Sequence, residues 1–322
     1  MTQTVHAITD MNPSLFSLKE EVLTGLRQNQ KQLHPKLFYD ENGSRLFNQI
    51  TTLPEYYLTR AEKEILTTFH ADICAFIGHN TPLIELGCGS EEKIQLILES
   101  LKEGNRYIPI DISQEALQCT VEKLLDAYPL LDVNAIRADY TQALSFLCQG
   151  TEEKKVVLFL GSTIGNFDEN DRNEFLQQLA QNLNPDDGLI IGIDLKKSPT
   201  LLEAAYNDSA GITAAFNKNL LDRINRELNA NFQVENFAHH AFFNNEKSRI
   251  EMHLVSKTAQ EVSIDEEIFS FDRGETIHTE NSYKFDLEDF QQTLNKAGLG
   301  FQKAWSDQHN HFALTYIEPL KG

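Results

Sequence analysis

The chain has 322 residues, 41% of them hydrophobic and 24% charged, the composition of a soluble globular protein with room for one or two domains. A formal net charge of −20, spread along the whole chain, disfavours DNA or RNA as a partner and favours a small-molecule ligand. The opening residues, MTQTVHAITDMNPSLFSLKEE, carry neither a basic start nor an apolar run, and no segment approaches the roughly 18 apolar residues of a membrane span. Cys74, Cys88, Cys119 and Cys148 form no CxxC pair, so neither zinc nor a disulfide framework is indicated. A cytoplasmic monomer with no nucleic-acid, membrane or metal partner is expected.

Apolar residues at helical spacing between 60 and 78 (Ile65, Leu66, Phe69, Ile73, Phe76) predict a helix, and PLIEL at 82–86 predicts a short buried strand closed by GCGS. Helix and strand then alternate. A helix over 91–101 precedes the strand RYIPIDI at 106–112, and a helix over 114–127 precedes NAIRADY at 134–140. A short helix over 141–149 leads to VVLFL at 156–160, and the helix DENDRNEFLQQLAQNLN at 168–184 leads to GLIIGIDL at 188–195. Five strands with helical crossovers predict a mainly parallel, doubly wound sheet.

Beyond Lys197 the alternation stops. Residues 201–228 read as helix, and FAHHAFFNNEKSRIEMHLVS at 237–256 reads as two strands around a polar turn, with further extended segments to about Phe285. The helix DLEDFQQTLNKAG at 286–298, a strand over 299–305 and the strand HFALTYIE at 311–318 restore the pattern, the last placed to insert antiparallel. The expectation is an α/β fold: a Rossmann-like seven-stranded sheet from residues 59–197 and 286–322, interrupted by an inserted α+β substrate-binding domain, 198–285, which residues 1–58 join.

Ligands of an open parallel sheet lie beyond the carboxyl ends of its strands. There the loop ELGCGS at 85–90 offers Gly87 and Gly89 for close backbone approach. A dinucleotide fingerprint needs a third small residue at 92, but Glu92 stands there, an acidic group where a pyrophosphate would rest. Asp111 closes the second strand 22 residues after Gly89, the spacing of a carboxylate that accepts from a ribose diol. Asp139 and Tyr140, closing the third strand, suit an adenine amino group and ring. Together these positions fit S-adenosylmethionine better than the plainer reading, a tight turn and two solvated strand ends.

These stretches, with others, resemble a known family. LFYDENGSRLFNQITTLPEYYLTRAEKEIL at 37–66, IELGCGSEEK at 84–93, FLGSTIGNF at 159–167, AYNDSAGITAAFNKNLL at 205–221, RIEMHL at 249–254 and TENSYKF at 279–285 look like signature blocks of the L-histidine Nα-methyltransferases. Those are S-adenosylmethionine-dependent enzymes that make hercynine on the route to ergothioneine; Cys88 departs from the serine common there. The resemblance implies a class I methyltransferase fold with cofactor contacts at Gly87, Lys93, Asp111, Asp139 and Tyr140. It also implies contacts to L-histidine at Tyr56, Asn166, Tyr206, Met252, Glu280 and Ser282, with Tyr39 in the same pocket.

Elementary chemistry gives these positions sense. Asn166 and Tyr206 are neutral donors for a substrate carboxylate, which keeps a full positive charge away from the sulfonium. Glu280 and Ser282, two apart on a predicted strand and hence on one face, suit the two imidazole nitrogens. Tyr39 and Tyr56 are candidates to orient the amine, and the uncharged tip of VVLFLGSTIGNF leaves room for it at Gly161 and Gly165. His239 with His240, and His309 with His311, lack a cysteine or carboxylate at ligand spacing and read as strand and turn residues, so no metal is expected. Two other readings stay open: an Nα-methyltransferase for a different amino acid, against which Glu280 argues, and a non-catalytic nucleoside-binding module.

Overall fold

Short apolar runs bounded by glycine or aspartate become the strands of the larger sheet. In the computed structural model, which describes residues 8–11, 18–99, 101, 106–139, 142–144 and 153–320, the first strands are β1 (Thr9–Asp10), β2 (Leu83–Leu86), β3 (Arg106–Asp111), β4 (Asp132–Val133), β5 (Ile136–Arg137), β6 (Val156–Phe159) and β7 (Gly188–Asp194). There follow β8 (Phe237–Asn244), β9 (Arg249–Ser256), β10 (Gln260–Ile264), β11 (Glu267–Phe271) and β12 (Thr276–Tyr283), then β13 (Leu299–Ser306) and β14 (Phe312–Pro319). Two units divide them: Met1–Ser14, Leu58–Lys196 and Phe285–Gly322 form the first, Leu15–Tyr57 and Lys197–Lys284 the second.

Among the described residues the first unit holds one sheet in the order β1-β5-β3-β2-β6-β7-β14-β13, with β4 beside β3. Strands β5, β3, β2, β6 and β7 run parallel, and β14 enters antiparallel between β7 and β13. All seven expected strands are present, extended at one edge by the two-residue β1 and β4. β1 falls within residues 1–58, which the sequence reading groups with the insertion; its pairing with β5, Thr9 opposite Ile136, ties it to this sheet instead. β6 and β7 are buried along their whole length, because a parallel strand covered on both faces needs apolar side chains pointing both ways.

Helix ends follow local chemistry. Gln114–Ala127 starts at Ser113, whose Oγ accepts from the Ala116 N–H at 3.2 Å, and it buries Leu117, Thr120, Val121 and Leu124 at helical spacing. Glu169–Asn182 starts at Asp168, whose carboxylate accepts from the N–H groups of Asn170 and Asp171, both at 2.9 Å. The helix predicted over 60–78 is two, Tyr57–Thr68 and His70–Ile77. Most of the short helix predicted over 141–149 lies outside the described residues, as does Tyr140.

In the second unit β12, β9 and β8 form an antiparallel sheet in that order, and β10 pairs with β11. The helix predicted over 201–228 is broken into Pro199–Tyr206 and Ile212–Leu228. Asp208 explains the break: its carboxylate accepts from the N–H groups of Ile212 at 2.8 Å and Thr213 at 2.7 Å, which starts a new helix where the old one stops.

Candidate active site

Along the carboxyl edge of the larger sheet, neighbouring strands deliver Asp139 after β5, Asp111 at the end of β3, the loop 87–90 after β2 and the loop 160–167 after β6. Gly87 and Gly89 sit at φ of 70° and 54°, the left-handed region that glycine enters without strain. The Gly89 N–H donates to Asp111 Oδ2 at 3.4 Å and the Ser113 N–H to Oδ1 at 2.9 Å. Burial nevertheless pushes the Asp111 carboxyl above its ordinary range, against the pull of these backbone donors. Asp139 Oδ1 accepts from the Gln142 N–H at 2.8 Å. A loop that admits close approach, followed in strand order by two carboxylates, fits a nucleoside presenting a ribose diol and an amino group.

The tip of β6 is not the uncharged surface that its sequence suggests. Glu62, from the helix Tyr57–Thr68, is 1% exposed, and its carboxylate accepts from the Gly161 N–H at 2.9 and 3.1 Å and from Lys93 Nζ at 2.9 Å. Its place depends on close approach to backbone: a Cβ on Gly192 of β7 would lie 2.5 Å from Glu62 Oε1, and one on Gly161, at φ 73°, would lie 3.2 Å from Lys93 Nζ. Lys93, expected at the cofactor, is thus oriented by a carboxylate that sequence reasoning missed; Glu62 sits in the polar stretch TRAEKEIL, where nothing marks it from its neighbours. Asn166 closes the turn Thr163–Asn166, and Ser162 before it, at φ 58°, accepts through Oγ from the Asp194 N–H at 2.9 Å.

The second unit holds the other expected residues, three of them on one face of its three-stranded sheet. Glu280 and Ser282 of β12 pair with Met252 and Ile250 of β9, and because cross-strand partners share a face, Glu280, Ser282 and Met252 lie together. Lys284, just past β12, continues the alternation. Its Nζ donates to Ser282 Oγ at 2.7 Å and to Tyr206 Oη at 3.2 Å, while the Tyr206 O–H donates to Ser282 Oγ at 2.7 Å. A buried cation therefore stands where the sequence reading expects neutral donors alone, and the proton of Tyr206 goes to Ser282. The spacing Glu280, Ser282, Lys284 was the signal for it. Burial pushes the Glu280 carboxyl up to about 7, with Lys284 pulling the other way. From Tyr206 a chain of edge-on rings runs through Tyr56 at 6.3 Å, Phe47 at 6.4 Å and Tyr39 at 5.8 Å.

On the opposite face of that sheet Glu251, His253 and His278 bring ligand atoms within 4.8 Å of one another, a cluster absent from the sequence reading. The rings of His253 and His278 stack 4.6 Å apart, 10° from parallel, so an ion in the plane of one ring lies far out of the plane of the other. Arg249 already holds Glu251 Oε1 at 2.6 Å. This arrangement suits a packed polar face better than a coordination shell. His239 meets the Tyr206 carbonyl at 2.8 Å and the Asn217 amide at 2.9 Å.

Residues 18–319 match the family described as histidine-specific, SAM-dependent methyltransferases. The chain belongs to this family. Its similar relatives include the histidine N-alpha-methyltransferases of Mycolicibacterium smegmatis, 41% identical over 93% of this chain and 94% of the relative, and of Mycobacterium tuberculosis, 39% identical over the same shares. Ergothioneine biosynthesis protein 1 of Neurospora crassa is 31% identical over 90% of this chain and 34% of its own length. Among solved structures, the mitomycin 7-O-methyltransferase MmcR has the same fold at a TM-score of 0.50 and 14% identity, covering 94% of this chain and 66% of that one. Membership of a SAM-dependent methyltransferase family agrees with the glycine loop and the two carboxylates at the carboxyl edge of the first unit.

Proposed function

We propose that the protein transfers three methyl groups in succession from S-adenosylmethionine to the α-amine of L-histidine, giving Nα,Nα,Nα-trimethyl-L-histidine, or hercynine, the first step toward ergothioneine. The observation that carries this reading is the pair on β12: a carboxylate at Glu280 and a hydroxyl at Ser282 on one face, suited to the two nitrogens of an imidazole. The family and the names of its mycobacterial members support the same substrate.

When bound, S-adenosylmethionine supplies a methyl group on a sulfonium, open to in-line attack. Gly87, Lys93, Asp111, Asp139 and Tyr140 are the residues assigned to hold it. Asn166 is assigned the substrate carboxylate, Glu280 and Ser282 the ring, and Met252 the apolar contact beside them. An α-amine has a pKa of roughly 8 and attacks only when unprotonated, so the enzyme must bind or generate the neutral amine before each transfer. Tyr39 and Tyr56 are assigned to orient its lone pair, and their ring faces accept the cation that grows with each methyl.

The reading has the enzyme act as a cytoplasmic monomer on a small molecule, without nucleic acid, membrane or metal. The net charge of −20 supports the first of these absences, and no described helix is long and apolar enough to cross a membrane. Purified protein given S-adenosylmethionine and a panel of amino acids is expected to yield mono-, di- and trimethylhistidine by mass spectrometry. Preferential methylation of another amino acid, or of none, would sink the reading.

A further inference from the structure

We propose that Lys284 is a positioning residue that holds Ser282 as a hydrogen-bond donor to the substrate ring, so that the site accepts imidazole only in its neutral form. This rests on the reading of Glu280 and Ser282 as the imidazole contacts and adds the protonation state of the ring.

A serine oxygen offers one proton and two lone pairs. Lys284 Nζ and the Tyr206 hydroxyl both approach Ser282 Oγ at 2.7 Å, and Nζ also reaches Tyr206 Oη at 3.2 Å. An ammonium has no lone pair and therefore donates to each of these two oxygens. Of the two hydroxyls the phenol is the more acidic, with a pKa of about 10, and so donates to the serine. The shorter approach of Lys284 to Ser282 than to Tyr206 fits a serine oxygen that accepts twice. Both lone pairs of Ser282 are then occupied, and only its proton remains for a ligand. Lys284, Ser282 and Tyr206 are 2%, 3% and 6% exposed, which leaves little water to relax the arrangement.

An imidazolium carries two N–H donors and no acceptor. One N–H would satisfy Glu280, but the other would meet the Ser282 proton beside a buried ammonium. A neutral ring has one of each: its N–H donates to Glu280, and its bare nitrogen accepts from Ser282. Other titratable groups near this face are Glu203 and Tyr206 of the helix Pro199–Tyr206, Tyr56, and His239 of β8 with Asp208 and Lys218 close to it. β9 contributes the uncharged Ile250 and Met252.

The test compares histidine with 1,2,4-triazole-3-alanine, an isostere whose ring stays neutral well below the imidazole pKa. KM is measured for both from about pH 5.5 to about 8.5, spanning the imidazole pKa of roughly 6.5. Titration of Glu280 and of the α-amine acts on both amino acids and drops out of the ratio. In the wild type the histidine-to-triazole KM ratio is expected to climb about tenfold per pH unit below roughly pH 6.5. Lys284→Met, which keeps the stem and loses the donors, should flatten that climb, and Lys284→Arg should restore it. A wild-type ratio that ignores pH, or an equal climb in Lys284→Met, overturns the inference. Should Lys284→Met fail to fold, Ser282→Ala, which removes the donor that Lys284 is proposed to set, takes its place and should flatten the climb; an equal climb overturns the inference. Glu280→Gln and Ser282→Ala separate the two layers. If neither raises the histidine KM, the imidazole assignment is wrong and this inference goes with it. If both raise it while the Lys284 comparison fails, only the role of Lys284 falls.

Discussion

Glu280 is less stable as a charged group in the free protein than it would be in water. Burial raises its carboxyl from 4.5 to about 7, and Lys284 offsets this only in part. A raised carboxyl favours the protonated folded form, so its stabilising contribution is complete below about 4.5 and is lost as pH rises through about 7. Glu280→Gln removes that loss. In urea titrations near pH 8 the variant is expected to be more stable than the wild type by about 1–2 kcal/mol, after allowance for partial exposure. Its histidine KM should rise at least tenfold, with cofactor binding nearly unchanged, because an amide is a weaker partner for a ring N–H. A variant that is less stable than the wild type near pH 8 would mean that the ionised carboxylate is well satisfied without ligand. Stability gained and substrate binding lost at one residue would be the physical mark of the specificity role proposed for Glu280.

At the level of elements, the loop after β6 is positioned by a helix that precedes β2 in the chain. Glu62→Ala would strip the buried partner from Lys93 and leave the Gly161 N–H unsatisfied. A loss of about 3 kcal/mol in chemical denaturation, or more, is expected, with weaker S-adenosylmethionine binding by calorimetry. An unchanged midpoint and affinity would show that the pair is incidental. The same loop shows where sequence legibility stops. β6 and β7 could be read because strands covered on both faces form near-continuous apolar runs, and Glu280 with Ser282 because alternation puts them on one face. β1 and β4 are two residues each, too short for any alternation to show. The break before Ile212 depends on an aspartate turning back on the chain, a competition that helical periodicity does not register. Glu62 was illegible, since a buried carboxylate on a polar helix looks like a solvated one until its neighbours are known. Lys284 is legible by the same rule: the alternation that picks out Glu280 and Ser282 reaches it at the next step.

Over the whole molecule the net charge of −20 repels itself. Ion pairs such as Lys155 with Asp187, at 2.5 Å and buried, are shielded from salt, whereas the excess surface carboxylates are not. Raising sodium chloride from about 10 mM to about 150 mM shortens the screening length from about 30 Å to about 8 Å and is expected to raise the thermal midpoint by a few degrees. A lower midpoint would show that exposed attractive pairs outweigh the general repulsion.

β14 is made last of the described strands yet lies inside the sheet, with β7 on one side and β13 on the other. On the ribosome, β7 is therefore an open edge until residues 312–319 have emerged, whereas the second unit is fully synthesised by Lys284. All seven residues of β7 are buried in the finished protein, and pairing across so long a stretch of chain is slow. The nascent chain thus carries a mostly apolar strand, paired with β6 on one side and open on the other, through most of the synthesis of its C-terminal third. That exposure to aggregation and to chaperones is fixed by the order of the strands, and no change of surface composition would remove it.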